Sequence, residues 1–340
     1  MANRGINTST EQSVLREMER NARVALTKIA KKTKMSQQRI SYALDSLLKN
    51  KVISGFFSLI DYAKLGILNF RVYFRVSYTS PEEFAQLIDR LKDEPSVSWI
   101  ATCGGRYDLL CTFFAINVSS FNKTLREIMR EFPTQLENYT VLTTIVMKNF
   151  GRKYLFSQTT HIPKQIIIGG DRPIEQIDSI DLQILYFLSE NARMSAVEIA
   201  TKLNITAKTV ITRIKKLRKR KIIRGFRPIL NVSQTGRMTF ILTVKSHNVV
   251  PELEDELVKY LKLHPNVTSI IKTLGEWDLE IQIEVESWYL YRKIVFEIRQ
   301  KFKSLIQEIE TTPLYEAYFK ITYFPKFLLS QDNNLIVNKQ

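Results

Sequence analysis

The sequence predicts an α+β protein of two tandem repeats, each a winged-helix-like helix-turn-helix domain followed by a ferredoxin-like βαββαβ sandwich. Three observations carry this prediction: an internal match at a shift of 170 residues, two short capped helices around a tight turn in each half, and a strand-helix-strand-strand-helix-strand order after them. A chain of 340 residues with 44% hydrophobic side chains is long and apolar enough for several packed domains.

The internal match runs without a gap through most of each half. Asn21-Ala22-Arg23 falls on Asn191-Ala192-Arg193, and Asp108-Leu109 falls on Asp278-Leu279. One unit has therefore been duplicated in tandem. The predicted domains are the two helix-turn-helix units 8–61 and 177–231, the two sandwiches 66–150 and 236–326, and the linker 151–176. Within the linker, the apolar stretch 164–170 is expected to add a short strand.

Helix-capping residues define the helix-turn-helix of the second half. Asp178 is placed to cap a first helix, Ser195 and Glu198 form a Ser-x-x-Glu capping box for a second, and Thr206 caps a third. The buried stripe of the third helix comprises Val210, Ile214 and Leu217. The first half repeats the pattern, with helices predicted over 27–33 and 36–49.

The sandwich modules follow Gly66 and Gly236. Strands are predicted over 69–78, 97–103 and 107–116 in the first half and over 238–245, 267–273 and 278–285 in the second, with helices after Pro81 and Pro251, over 119–132 and over 287–302. Apolar residues of the first strands make an open sheet face implausible, so we expect the two modules to pair through faces that carry Val72, Phe74, Phe240 and Leu242.

Positive charge is concentrated in the helix-turn-helix units. The formal net charge is +16, and residues 178–231 carry 12 Lys and Arg against 4 Asp and Glu, while residues 8–61 carry 10 against 5. A basic run on an isolated helix is often only a solvated face. On the third helix of a capped helix-turn-helix it favours contact with phosphates, and the predicted partner is therefore double-stranded DNA.

The residues expected to contact DNA lie on the exposed faces of the two recognition helices. In the second half they are Lys208, Thr209, Thr212, Arg213, Lys216, Lys219 and Arg220, and in the first half Gln37, Gln38, Arg39 and Tyr42. Because the second set is more basic, we expect it to dominate the affinity. Changing Arg213 and Lys216 to Ala should then weaken binding more than changing Gln38 and Arg39.

Other classes of protein are disfavoured by composition. No apolar run reaches 18 residues and the first residues contain no apolar core, so neither a membrane span nor a secretory signal is expected. Cys103 and Cys111 are too few for a disulfide framework or a zinc site. We expect a cytoplasmic protein without a cofactor or a structural metal.

Residues 177–226, together with the signatures GGRYDL and LGEWDL, resemble the Lrp/AsnC (feast/famine) transcriptional regulators. The resemblance implies DNA binding, an amino-acid or similar small effector at Gly105, Asp108, Gly275 and Asp278, and either a homodimer or an intramolecular pseudo-dimer. The alternative for these four residues is that the glycines permit the turn and the aspartates bind its amides.

The first half departs from the family pattern. Ala43 stands where the second half has Arg213, Glu11 and Gln12 stand near the expected Asp of the first helix, and the family's glycine after the recognition helix is Lys51 in one half and Lys221 in the other. These departures predict altered or weak DNA reading by the first half.

A second resemblance is to sirohaem decarboxylases, which share this fold as fused pairs. That resemblance would imply tetrapyrrole decarboxylation by a histidine near the strand that begins at Val97 or Val267, and neither strand contains one. The three histidines are His161, His247 and His264, and none has a His or Cys partner at ligand spacing. We therefore expect no enzymatic activity.

Overall fold

A computed structural model describes residues 6, 8–77, 80–156, 164–247, 251–318 and 322–329. The first half contains α1 (Ser9–Arg20), α2 (Leu26–Thr33), α3 (Gln37–Lys49), β1 (Ile53–Ile60), β2 (Leu68–Val76), α4 (Pro81–Asp93), β3 (Val97–Cys103), β4 (Leu109–Ala115), α5 (Val118–Glu131) and β5 (Leu136–Asn149). After the linker strand β6 (Ile166–Gly169), the second half contains α6 (Ser179–Glu190), α7 (Ala196–Leu203), α8 (Ala207–Lys219), β7 (Ile223–Leu230), β8 (Met238–Ser246), α9 (Pro251–Leu263), β9 (Val267–Leu274), β10 (Leu279–Val285), α10 (Trp288–Lys301) and β11 (Ile306–Tyr318).

The predicted helix caps are confirmed. The side chain of Asp178 accepts the amide of Asp181, and the side chain of Thr206 accepts the amide of Thr209. Ser195 and Glu198 form the reciprocal capping box at the start of α7. Since each cap satisfies a backbone donor that has no partner within its helix, these residues determine where the helices begin.

A two-stranded antiparallel ribbon, β1 with β7, joins the two helical domains and was not predicted from the sequence. Phe57 pairs with Arg227, and these two residues are 170 positions apart. Repeat equivalents that face each other lie on a local two-fold axis, so the ribbon relates the two helix-turn-helix units by a pseudo-two-fold rotation. The strand pattern was missed because β1 is buried along most of its length and therefore lacks alternation.

The two sandwiches close into one barrel. Their strands follow the order β2-β4-β3-β11-β8-β10-β9-β5, and β5 also pairs with β2, which completes an eight-stranded ring. The 14-residue β5 and the 13-residue β11 make this possible, because each pairs with a strand of its own half and a strand of the other half. The expected βαββαβ order is confirmed in both halves, and they pair within one chain.

The face through which the modules pair differs from the expected one. Val72 and Phe74 pack beneath α4 and α5, and Phe240 and Leu242 pack in the core with α9 and α10. Because side chains alternate along a strand, the barrel interior receives their neighbours instead, including Arg71. The interior is therefore partly charged, whereas the apolar face belongs to the helices.

The linker packs between the helical and barrel domains. The predicted short strand is present as β6, which pairs with β5, and its Ile166 and Ile168 are buried among the helical domains. His161 lies outside the described residues. Within the described part of the chain, no helix is long and apolar enough to cross a bilayer.

Candidate nucleic-acid interface

The second recognition helix, α8, presents lysines to solvent. Val210, Ile214 and Leu217 are buried, which confirms the predicted stripe. Lys208, Thr212, Lys216 and Lys219 are exposed on the other side of the helix, while Thr209 is half-buried. Thr212 donates its hydroxyl to the carbonyl of Lys208, 2.9 Å away.

Two predicted DNA contacts of the second half have partners within the chain. Arg213 binds Asp178 at 2.6 Å and Asp181 at 2.9 Å, so it holds α8 against the start of α6. Arg220 binds the carboxylate of Glu175 at 3.0 Å. Neither guanidinium group is free in this structure, and direct contact of either with DNA stays a prediction.

The first recognition helix, α3, is exposed but much less basic. Gln37, Gln38, Arg39 and Tyr42 all lie on its solvent side, and Tyr42 is 77% exposed. Arg39 donates its Nε–H to the hydroxyl of Thr10, 3.0 Å away. The two helices therefore offer DNA different chemistry: amides and a phenol on α3, ammonium groups on α8.

The first recognition helix is anchored to α1 although Ala43 stands where the second half has Arg213. Ser46 donates its hydroxyl to the carboxylate of Glu11 at 2.7 Å, and Glu11 occupies the repeat position of Asp181. The anchor of α3 to α1 is thus shifted by one turn and is a neutral-to-charged hydrogen bond rather than an ion pair. Glu11 also completes a capping box with Thr8.

Two arginines, missed in the sequence analysis, interlock the helix-turn-helix units. Arg23 donates to the carbonyls of Ala192 and Met194, and Arg193 donates to those of Ala22 and Val24. Burial, with Coulombic repulsion from Arg193, lowers the pKa of Arg23. The sequence signal for these two arginines was the Asn-Ala-Arg triplet that occurs in both halves, in which the arginine follows a buried alanine.

The four predicted effector positions lie in two turns at the end of the barrel. Asp108 accepts the amide of Val76 at 2.9 Å, and Asp278 accepts that of Ser246 at 2.8 Å. Gly105 has a φ of +99° and Gly275 one of +148°. The structure therefore gives all four a structural role in the turns, and effector binding by them stays a prediction.

Each turn contacts the long last strand of the other half. A Cβ atom on Gly275 would lie 2.9 Å from the carbonyl oxygen of Val141 in β5. Arg106 and Glu276, which are repeat equivalents, form an ion pair with each other. This pair marks a second point on the pseudo-two-fold axis, so the turns are part of the contact between the halves.

Other candidate groups are in structural surroundings. Cys103 and Cys111 are buried, and burial, with a smaller effect of Asp108, raises the pKa of Cys103 to about 12. His264 accepts the amide of Asn266 on its Nδ1. Among the residues that the structure describes, no three His, Cys, Asp or Glu side chains converge as metal ligands.

Comparison with known proteins relates this chain to helix-turn-helix transcriptional regulators. The AsnC-type helix-turn-helix domain matches residues 177–218. An uncharacterised HTH-type transcriptional regulator of Pyrococcus horikoshii is 32% identical over 110 residues, which cover 32% of this chain and 73% of the relative. The HTH-type transcriptional regulator Ptr1 of Methanocaldococcus jannaschii is 33% identical over 102 residues, 30% of this chain and 68% of the relative.

Solved structures of one protein match both halves at once. The sirohaem decarboxylase NirDL superposes with a TM-score of 0.60 over 94% of this chain and 96% of its own, at 11% sequence identity. At this identity the likeness concerns the fold, and it supports the tandem arrangement of two helix-turn-helix units above one barrel.

Proposed function

Because the chain belongs to the Lrp/AsnC family of helix-turn-helix transcriptional regulators, we propose that it binds double-stranded DNA with both recognition helices of one chain. The second helix, α8, supplies most of the affinity, and the site on DNA is correspondingly asymmetric. We propose that the chain acts in the cytoplasm, in line with its similarity to HTH-type transcriptional regulators.

The observation that carries the proposal is the exposure of Lys208, Lys216 and Lys219 on a capped helix that follows a tight turn. Exposed ammonium groups on such a helix can contact phosphates and base edges in a major groove. The β1–β7 ribbon relates α8 to α3 by the pseudo-two-fold axis, which matches the arrangement of half-sites in operators.

The test begins with the preferred DNA, obtained by mapping the bound sites across a genome, and measures affinity by fluorescence anisotropy at several salt concentrations. Replacing Lys208 and Lys216 with Ala should weaken binding by about tenfold or more and lower the slope of log K against log salt by about 2. Replacing Gln38 and Arg39 with Ala should have a smaller effect. Equal losses from the two variants would contradict the asymmetry.

Arg213 needs a separate variant because it anchors α8 to α6. Replacing Arg213 with Ala changes both the helix packing and the charge near DNA, whereas replacing Asp178 and Asp181 together with Asn removes both ion pairs of the anchor and leaves the guanidinium in place. Loss of DNA affinity in both variants would indicate positioning by Arg213. Loss only in the Arg213 variant would indicate direct contact.

We further propose that a small amino-acid effector acts at the turns that contain Gly105 and Gly275. Support comes from their location between the halves, where a bound molecule could alter how the two long strands pack. Calorimetry across the common amino acids tests this, and the absence of heat together with unchanged DNA affinity would remove it.

The chain is proposed to regulate rather than to catalyse. Neither His247 nor His264 lines the barrel cavity, whose ionised groups largely pair with one another. Purified protein that decarboxylated sirohaem-type tetrapyrroles and ignored DNA would reverse this ranking. Light scattering would distinguish a pseudo-dimer formed by one 39.7-kDa chain from a homodimer of such chains.

A further inference from the structure

A cavity of about 830 Å³ lies between the barrel interior and the β1–β7 ribbon. Both halves contribute to its walls, so it exists only because the halves pair. Cavities that bury small organic ligands have volumes of about 300–1,000 Å³. The space is thus large enough for a ligand rather than for isolated waters.

The charged side chains of the cavity wall are more basic than acidic. The acidic residues are Glu19, Glu280 and Glu284, and the basic ones are Lys51, Arg71, Arg152, Arg227 and Arg237. An excess of two positive charges in a partly enclosed space of low dielectric constant attracts an anion.

The three carboxylates already have cationic partners. Glu280 pairs with Arg71, and Glu284 forms a bidentate pair with Arg152 at 2.9 and 3.1 Å. Arg152 also reaches Glu19, 3.4 Å away. These pairs account for the negative charge of the wall and engage two of its arginines.

Arg227 and Arg237 retain capacity for an anion. Arg227 is 4% exposed, and its Nη1 donates to the carbonyl of Arg20 at 2.9 Å. Its Nε lies 3.9 Å from Glu19 and makes no hydrogen bond within the described residues. Arg237 pairs with Glu286 outside the cavity wall, and its Nη1 is buried without a hydrogen-bond partner among the described residues. A buried guanidinium donor without an acceptor is costly, and an incoming carboxylate would satisfy it.

Aromatic side chains form another part of the wall, which we call the aromatic wall: Phe57, Tyr62, Trp99, Phe114 and Tyr323. Phe57 stacks on Tyr323 with ring centroids 5.5 Å apart, and Tyr62 packs against Phe114 at 5.2 Å. The hydroxyl of Tyr62 is buried and has no hydrogen-bond partner within the described residues. Such a surface favours a flat, apolar ring.

The two repeats have diverged inside the cavity. At equivalent positions stand Arg227 and Phe57, Glu284 and Phe114, Arg152 and Thr322, and Trp99 and Ser269. The backbone symmetry would otherwise create two identical half-cavities. Divergence has instead made a single space with charged and aromatic walls, which suits one ligand in one orientation.

We propose that this cavity binds one aromatic organic carboxylate per chain, at a site separate from the Gly-Asp turns. The guanidinium groups of Arg227 and Arg237 bind the carboxylate, and the aromatic wall holds the ring. Because Trp99 lies in the wall, binding changes its fluorescence.

Calorimetry on the intact chain with three probes that share one ring tests the proposal: indole-3-acetate, the neutral indole-3-ethanol and the cationic tryptamine. We expect one site per chain for the acid and binding at least about tenfold weaker for the other two. Equal affinity of the acid and the alcohol would overturn the proposal, as would the absence of one-site binding by the acid at millimolar concentration.

Three variants locate the site. Arg237→Gln should weaken binding of indole-3-acetate by about tenfold, while Arg299→Gln, an exposed control on α10, should leave it unchanged. Ser269 is the second-repeat equivalent of Trp99. Ser269→Trp therefore introduces the side chain of the first repeat, and it should block binding by filling the cavity. Unfolding curves check that each variant folds, and unchanged binding by folded Arg237→Gln and Ser269→Trp would overturn the assignment.

Discussion

Left-handed backbone recurs at the helix ends of both repeats. Lys51 has a φ of +54° and Lys221 one of +59°, directly after the recognition helices. Lysine stands at both positions where the family has glycine. The backbone keeps the conformation that glycine adopts most easily, so each lysine has a strained backbone conformation just after a recognition helix.

Replacing Lys51 with Gly should therefore raise the free energy of unfolding by roughly 0.5–1 kcal/mol, because glycine removes the steric cost of a positive φ and this outweighs its extra entropy in the unfolded chain. Urea denaturation measures the change. The control is Lys49→Gly, at the last residue of α3, which should lower the free energy by up to about 1 kcal/mol. Destabilisation by both variants would contradict this account.

Burial of Lys153 should make the free energy of unfolding depend on pH. Its ammonium group is buried, lies 5.0 Å from the centroid of Phe150 and donates to the carbonyl of Lys262. Burial, with repulsion from Lys262, lowers its pKa to about 8, against an ordinary value near 10.5. Between these values the unfolded chain binds a proton that the folded chain has released, so stability rises with pH.

We accordingly expect the free energy of unfolding of the natural chain, relative to Lys153→Met, to increase by roughly 1–3 kcal/mol between pH 7 and pH 10. Below pH 8 both states are protonated and the cost of the buried charge is fully present. Denaturation of both proteins across this range provides the measurement. A difference that stayed constant with pH would show that the ammonium group is not destabilised by burial.

At the scale of elements, the ribbon β1–β7 and the arginine interlock hold the helix-turn-helix units together. The amide of Ala22 donates to Phe226 at 3.1 Å, and that of Ala192 donates to Phe56 at 2.9 Å. Arg23 and Arg193 add carbonyl contacts on each side. These symmetric bonds fix the distance and angle between α3 and α8.

Replacing Arg23 with Ala should lower the free energy of unfolding by about 2–3 kcal/mol, since it removes charge-assisted hydrogen bonds to partly buried carbonyls. Arg193→Ala should cost a similar amount, because its contacts are equivalent. The exposed Arg126→Ala serves as the control and should stay within about 0.5 kcal/mol. Urea denaturation gives the comparison, and a loss no larger than that of the control would show that the interlock is dispensable.

Elements with local signals were predictable, and those that depend on distant partners were not. Asp178, Ser195 and Thr206 identify helix starts because a cap acts within three residues. The ribbon depends on pairing between residues 170 positions apart, and the apolar face of β2 was assigned to the wrong neighbour. The charged face was visible as Arg71 between apolar residues, but its partner Glu280 lies in the other repeat.

At the scale of the whole molecule, duplication produced a symmetric backbone, and divergence removed that symmetry from the side chains of the recognition helices. The pairs Phe57 with Arg227 and Arg106 with Glu276 preserve a two-fold axis through the ribbon and the far end of the barrel. The recognition helices have lost that symmetry in their side chains. One chain therefore presents two helix-turn-helix units in fixed geometry but with unequal chemistry, which a dimer of identical chains cannot do.

This fixed geometry predicts a strict spacing of half-sites on DNA. Half-sites for paired helix-turn-helix units lie about one helical turn apart, or multiples of it. Inserting 5 base pairs between the two half-sites rotates one of them by about half a turn, so affinity should fall to that of the half-site bound by α8 alone. On this DNA, replacing Gln38 and Arg39 with Ala should have no further effect, because α3 no longer reaches its half-site. Anisotropy with a matched insertion in the flank provides the control, and equal affinity for spaced and unspaced DNA would show that only one recognition helix binds.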